Sequence, residues 1–365
     1  MAAISRIDLV RSELEKLDLD ACLISQHHNI FYLTAFQGLS EQEREAWCVV
    51  TKEKIYLITD GRYIDSVDNS NLTIRELTAE NALPKILSGI IKEEKVTSLG
   101  FEAEDLTYHE YSYFKKNAAV SLKETRRLVS GIREKKDDEE IAAITEACRI
   151  MDQCLKEVSG AISLGQTERE IALTIEWWLK QHGSDLAFDP IVAINEHAAI
   201  PHFNTKADGD TKVTAGAVIL IDCGALNNHY MSDITRMLVV GKPTAEFSQA
   251  YQALLEAQEI AIQLLGEKQH YKNVDLMTRA FLEKKGYPSY AHSTGHGLGL
   301  EIHEGPKVAL NSKDTIQPGH IVTIEPGIYL KGKFGIRIED TVVIDETGQP
   351  RCLTLSPKAL IPISV

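Results

Sequence analysis

No apolar run in this 365-residue chain approaches the ~20 residues that a membrane-spanning helix needs, so a helical membrane partner is not expected. Six cysteines (Cys22, Cys48, Cys148, Cys154, Cys223, Cys352) are scattered without a CxxC pair, which excludes zinc-finger and thioredoxin-like readings on spacing alone. In a chain of this size they read as reduced, mostly buried thiols of a cytoplasmic protein. No basic stripe is present. Lys and Arg number 39 against 53 Asp and Glu, a formal net charge of −14, and this argues against nucleic acid and anionic membranes as partners. The acidity itself reads as a solvated acidic surface. A GxSxG nucleophile motif and a GxxxxGK[ST] phosphate loop are both lacking. The opening MAAISRIDLVRSELEK carries charges where a leader peptide would need its apolar region.

What is present is ordinary globular material, 44% hydrophobic and 25% charged, long enough for two domains. Residues 1–128 alternate helical and strand patterns, as a small α/β unit would. A helix is expected over Arg6–Leu17, a strand at ACLIS, a hairpin in WCVVTKEKIYLIT around TKEK, a strand at SLGFE and a helix at TYHEYSYFKK. None of these clusters metal-type ligands, so the unit reads as scaffold or oligomerisation domain. The charged REKKDDEE stretch marks a boundary, and residues 129–365 form a second domain. There Asp137 and Glu140 cap a helix with Ile141, Ile144, Cys148, Met151, Leu155 and Val158 on one face. A second helix starts at Thr167, with Glu170 three residues on, and stops at Gly183. Further helices are expected after Thr244 and around Asp275–Lys285, ended by Gly286. The order helix pair, hairpin, helix pair, hairpin is an internal pseudo-repeat of α+β type. One deep antiparallel sheet backed by helices would bring its two hairpins to a central seam.

Those hairpins are the informative feature. In GAVILIDCGALNNHYMSDITRMLVV and GHIVTIEPGIYLKGKFGIRIEDTVVI, Gly216 and Gly319 each precede a carboxylate, Asp222 or Glu325, by six residues. Each run returns to a second carboxylate, Asp233 or Glu339, ahead of another β-branched stretch. Alternation puts Asp222 on the same strand face as Val218 and Leu220. An acid there is costly to bury unless paired or metal-bound. One such acid is often a satisfied hydrogen-bond partner. Four in matched hairpins repel one another without counter-cations, and two divalent ions resolve that. An oxygen-rich set with one histidine favours Mn²⁺, with Co²⁺ and Zn²⁺ as alternatives. Paired ions share and acidify a hydroxide and polarise a carbonyl, so attack of metal-bound hydroxide on an amide is the expected chemistry.

Between the hairpins lies AHSTGHGLGLEIHEG, whose glycines would let the backbone approach the ions. His296 is the best histidine ligand. His202 lies 20 residues before Asp222 and His303 lies 22 before Glu325, matching places in the pseudo-repeat. Both suit hydrogen bonding to a scissile carbonyl, an oxyanion or a substrate carboxylate. Arg337, two before Glu339, suits a ligand carboxylate. His27, His28, His109, His182 and His270 sit in polar surroundings and read as surface residues.

In IVAINEHAAIPHF, LIDCGA, YMSDITR, HSTGHGLGLEIHE, TIEPGIY and GIRIED the chain resembles the pita-bread metallopeptidases of family M24, in their proline-directed branch of Xaa-Pro aminopeptidase and Xaa-Pro dipeptidase (prolidase). These motifs cover most of residues 185–345, and the preceding domain resembles that branch's creatinase-like N-terminal domain. The resemblance implies that Asp222 and Asp233 bind one metal and Asp233, His296, Glu325 and Glu339 the other, with Asp233 and Glu339 bridging. Glu325 would take the proton of the attacking water. His202, His292, His303 and Arg337 match substrate-binding and transition-state-stabilising positions. The implied substrates are proline-containing peptides cleaved before proline, and a homodimer is expected. Methionine aminopeptidases fit the large N-terminal domain and the PHF and RIED contexts less well. Creatinase-type enzymes and inactive binding relatives lack the full ligand set, which is complete here. The chain departs from the family at Met237, where threonine is usual, at Asn228-His229, where glycine is common, and at Cys223.

Overall fold

A computed structural model describes residues 5–40, 43–67, 71–117, 120–267 and 269–363. The first four residues of the stretch read for a leader lie outside them. Contacts divide the chain into two compact units, residues 1–133 and 134–365.

The first unit runs α1 (Arg6–Lys16), β1 (Ala21–Ile24), α2 (His27–Thr34), β2 (Ala46–Thr51), β3 (Ile55–Asp60), β4 (Thr73–Leu77), α3 (Leu83–Glu93), β5 (Ser98–Glu102), α4 (Tyr108–Asn117), β6 (Ser121–Thr125) and α5 (Leu128–Arg133). Its six strands form one mixed sheet in the order β4-β3-β2-β1-β5-β6. The β2–β3 hairpin turns at TKEK, where the Thr51 amide donates to the Lys54 carbonyl at 2.9 Å. Leu23, Val49, Ile58 and Leu99 pack there against Ile86, Leu87 and Ile90 of α3.

The second unit opens on α6 (Asp138–Ala161) and α7 (Glu168–Gln181), each with a complete capping box, Asp137 with Glu140 and Thr167 with Glu170. Along α6, Ile144, Cys148, Met151, Leu155 and Val158 are buried, while Ile141 is half-buried. Then come β7 (Asp185–Leu186), β8 (Ile191–Ile194), α8 (Thr205–Asp208), β9 (Val218–Cys223), β10 (Ala225–Asn227), β11 (Tyr230–Met231), β12 (Ile234–Val240), α9 (Ala245–Leu264) and α10 (Tyr271–Lys284). The chain ends with β13 (Gly295–Gly297), β14 (Glu304–Val308), β15 (Ile321–Ile324), β16 (Gly327–Leu330), β17 (Phe334–Arg337), β18 (Asp340–Ile344), β19 (Pro350–Cys352) and β20 (Ile361–Ile363).

The pseudo-repeat is real but is not one sheet. The first hairpin, β9 with β12, lies in a four-stranded sheet ordered β20-β12-β9-β8. The second, β15 with β18, lies in a five-stranded sheet ordered β14-β13-β15-β18-β19. Each outer pair carries a smaller inner one, β10–β11 or β16–β17. Gly216 and Gly319 open both repeats at φ values of +81° and +87°, a conformation that costs glycine nothing. Strand β9 is buried on both faces. Ile219, Ile221 and Cys223 pack among side chains of α6 and α7, whereas Val218 and Leu220 pack with Phe247 and Leu254 of α9.

Asn228 and His229 both have positive φ, 47° and 70°, in the two-residue β10–β11 turn. Such a turn needs left-handed backbone, which explains why glycine would be at home there. No helix among the described residues is long and apolar enough to cross a membrane. The six cysteines are free thiols, and five are buried.

Candidate active site

The topology puts each carboxylate at a strand end. Asp222 lies in β9 opposite Thr235, and Asp233 immediately precedes β12. In the second repeat Glu325 directly follows β15, and Glu339 directly precedes β18. Backbone and hydroxyl bonds join the two repeats at this point. The Glu339 amide donates to the Thr235 carbonyl at 3.2 Å, and the Thr341 hydroxyl donates to the Asp233 carbonyl at 2.8 Å. The Thr235 hydroxyl donates to Glu339 Oε2 at 2.6 Å. Thr235 and Thr341 occupy matching positions, so each repeat uses one threonine to hold the other's acidic residue, Glu339 by its carboxylate and Asp233 by its backbone carbonyl.

All four carboxylates and His202, His292, His296, His303 and Arg337 line one cavity of about 570 Å³. The nine candidate ligand and substrate-contacting residues thus share one cavity. Asp222, Asp233, His296 and Glu339 are buried, Glu325 and His292 half-buried, and His202 and His303 exposed at the wall. Of the histidines read as surface residues, His27, His109, His182 and His270 are exposed and His28 is half-buried.

The electrostatics mark the cluster as short of positive charge. Burial pushes the Asp233 carboxyl well above the ordinary range, with Glu339, Asp222 and Glu325 adding repulsion. Glu339 is raised the same way, by burial and then by Glu325 and Asp222. Burial, opposed by Arg337 and assisted by Asp222, lifts Glu325 to about 7. His296 is lowered to about 4 by burial and by His303, so its ring is neutral. Its Nδ1 lies 3.0 Å from the Gly297 carbonyl and donates to it. The Nε2 lone pair therefore faces Asp233 Oδ2 at 3.6 Å and Glu325 Oε1 at 3.4 Å. A lone pair aimed at carboxylates is the arrangement a cation relieves. Asp222 Oδ1 and Asp233 Oδ1 are buried and accept no hydrogen bond from the described residues. Donor atoms of Asp233, His296 and Glu339 all lie within 4.8 Å of one another. The residues present fit divalent cations.

The glycines beside His296 act differently from the sequence expectation. A Cβ at Gly295 would run into the Thr323 carbonyl, and one at Gly297 into the Gly305 carbonyl. They let β13 approach its neighbour strands, which sets His296 in place.

Arg337 donates to Asp222 Oδ2 through Nη2, to Thr235 Oγ1 through Nε at 3.1 Å, and to the Pro201 carbonyl and Tyr329 hydroxyl through Nη1 at 3.1 and 3.0 Å. Tyr329, which sequence reasoning missed, also sits 2.8 Å from His292 Nε2. Since His292 Nδ1 lies 2.8 Å from the Ser293 carbonyl, it carries the proton, and Nε2 accepts from Tyr329. Burial and then Arg337 hold His292 at about 3. The signal for Tyr329 was at hand in the tyrosine closing TIEPGIY. Thr235 likewise lies within YMSDITR, whereas Lys307, which also lines the cavity, falls outside the quoted motifs.

Two of the departures from the motifs, Met237 and Cys223, do not line the cavity. Met237 and Cys223 are fully buried, Met237 in the core with α9 and Cys223 in the core with α6.

Comparison with known proteins agrees with this architecture. Residues 142–346 match the model for metallopeptidase family M24, and residues 6–135 match that for the creatinase/prolidase N-terminal domain. The chain belongs to metallopeptidase family M24, with the creatinase-type domain followed by the pita-bread domain. It is 34% identical to the Xaa-Pro dipeptidase of Pyrococcus horikoshii over 95% of this chain and 96% of that protein. Among solved structures, the Xaa-Pro dipeptidase from Bacillus anthracis superimposes with a TM-score of 0.90 at 32% identity, covering 98% of this chain and 99% of that one. The X-Pro aminopeptidase from Thermotoga maritima does so with a TM-score of 0.86 at 31% identity, covering 96% and 100%.

Proposed function

We propose that this chain is a two-metal peptidase that hydrolyses Xaa-Pro bonds, releasing the N-terminal residue that precedes proline. The observation that carries the reading is the acid set around His296, with two buried carboxylate oxygens that accept no hydrogen bond from the described residues. The names of its relatives, Xaa-Pro dipeptidases and an X-Pro aminopeptidase, supply the substrate class.

Asp222 and Asp233 would hold one ion and Asp233, His296, Glu325 and Glu339 the other, with Asp233 and Glu339 shared. Mn²⁺ suits this oxygen-rich set, with Co²⁺ or Zn²⁺ as alternatives. When bound, the pair supplies Lewis acidity and a water of lowered pKa. The protein's own groups do the rest. Glu325 accepts the proton of the attacking water. His202 and His303 donate hydrogen bonds to the carbonyl oxygen as it gains charge. Arg337 holds Asp222 and Tyr329 at the substrate's edge, and Tyr329 in turn fixes the His292 tautomer. The leaving nitrogen belongs to proline and carries no N–H, so recognition rests on shape and on the carbonyl oxygens. A cytoplasmic homodimer is part of the same proposal.

One observation favours the narrower dipeptidase reading. Lys307 of β14, the cross-strand partner of His296, is exposed and lines the cavity. Its ammonium would meet the carboxylate of an Xaa-Pro dipeptide. Assaying an Xaa-Pro dipeptide beside an Xaa-Pro-Yaa tripeptide, with Mn²⁺ added, decides between the two. Absence of both bound metal and turnover would sink the enzyme reading itself.

A further inference from the structure

His202 stands at the cavity wall, yet its side chain makes no hydrogen bond among the described residues. Its position is set by the backbone that carries it, the connection from Ile194 to Thr211. That connection is gathered from beneath by a single carboxylate. Glu168, the first residue of α7, is fully buried. Its Oε1 accepts from the Ile194 amide at 2.6 Å, and its Oε2 accepts from the Thr211 amide at 3.3 Å. Both ends of the connection are thus clasped by one side chain.

The same carboxylate reaches the middle. His197 Nδ1 donates to Glu168 at 2.9 and 3.1 Å, and the imidazole stacks on Phe203 with centroids 4.4 Å apart. Phe203 adjoins His202. On the opposite side, the Pro201 carbonyl accepts from Arg337, and a Cβ at Gly335 would run into the Ala198 carbonyl. His202 is therefore held between an anchored base and a closely packed β17. A fully buried acid must find partners or cost several kcal/mol, and all the partners named here belong to this one connection.

We propose that Glu168, acting through His197 and Phe203, is a positioning residue that sets His202 against the reacting carbonyl. The inference rests on the role assigned to His202 above. Neither Glu168 nor His197 lines the cavity, so their contribution is orientation. Misplacement of a catalytic group by a fraction of an ångström costs rate without costing binding.

The test is a double-mutant cycle on Xaa-Pro-Yaa hydrolysis with the Mn²⁺-loaded full chain. Glu168→Gln and His197→Ala should each lower kcat by roughly ten-fold while KM changes by less than about two-fold. In a His202→Ala background the same changes should produce no further loss, because the group they orient is gone. His197→Asn, whose amide can donate near the Nδ1 position, should restore most of the activity. Should Glu168→Gln fail to fold, His197→Ala still serves, since it leaves the Glu168 bonds to Ile194 and Thr211 in place. Losses that multiply in the double variants would overturn the proposal, because they would show an effect independent of His202. A wild-type rate for His202→Ala alone would instead remove the role of His202 on which it rests. Inactivity of the wild-type protein would refute the peptidase reading.

Discussion

The Thr235 hydroxyl donates to Glu339 Oε2 at 2.6 Å and accepts from Arg337 Nε at 3.1 Å, so one side chain of the first hairpin fastens two functional groups of the second. Thr235 is completely buried. Replacing it by valine keeps the shape and removes both bonds.

Thr235→Val should destabilise the protein by about 1–3 kcal/mol, the cost of leaving buried polar partners unmade. It should also weaken metal retention. Thermal unfolding in chelator and in Mn²⁺ reads both effects, and Thr235→Ser should recover most of the loss. An unchanged midpoint in both conditions would refute the coupling.

Proton release should accompany metal binding. Burial and mutual repulsion raise Asp233 and Glu339, and Glu325 stands near 7. Without cations the cluster holds protons below that pH, and a cation displaces them. Calorimetry of Mn²⁺ binding in buffers of different ionisation enthalpy should find more protons released at pH 6 than at pH 8. Equal release at both would contradict the raised Glu325.

Lys307→Met should raise KM for an Xaa-Pro dipeptide by roughly ten-fold and leave the tripeptide within about two-fold, the loss expected of one charge-assisted bond to a carboxylate. Equal effects on both peptides would remove the argument for a dipeptide site.

In the first unit, Asp20 takes bonds from Lys52 Nζ at 2.7 Å and from the Thr97 hydroxyl and amide at 2.7 and 2.9 Å. Lys52, followed by Thr97, holds its carboxyl below the usual range. Because the folded pKa lies below the unfolded one, this stability is present above about pH 4 and is lost as pH falls through the folded value. Asp20→Asn should cost about 1 kcal/mol at pH 7, discounted for the exposed Lys52. The cost should shrink toward pH 2 in denaturant titrations. A loss that is the same at both pH values would contradict the assignment.

Much of the site was legible because its signals are local. A strand must alternate, so an acid at the end of VILID stands out against its neighbours. The glycines six residues ahead mark where each repeat turns. The capping boxes at Asp137 and Thr167 are also local, since both partners lie within one helical turn. Tyr329 was different. Its value lies in meeting His292, 37 positions earlier, and Arg337 across the β16–β17 turn. Glu168 stands in the first turn of α7, where acids are common for dipole reasons, so no local pattern marks it.

The amino-acid sequence by itself determined the duplicated hairpin pattern and the family that the chain resembles. These follow from periodicity, turn chemistry and motif order, which act over a few residues at a time. Only the tertiary structure decided that the hairpins lie in separate sheets joined by Thr235, Thr341 and Arg337. It also decided that Asp222 and Asp233 keep oxygens that accept no hydrogen bond from the described residues, and that the Arg337 guanidinium is engaged by Asp222, Thr235, Pro201 and Tyr329. The reason is physical. Whether a buried polar atom is satisfied depends on groups a hundred residues away, and no local pattern specifies which will arrive.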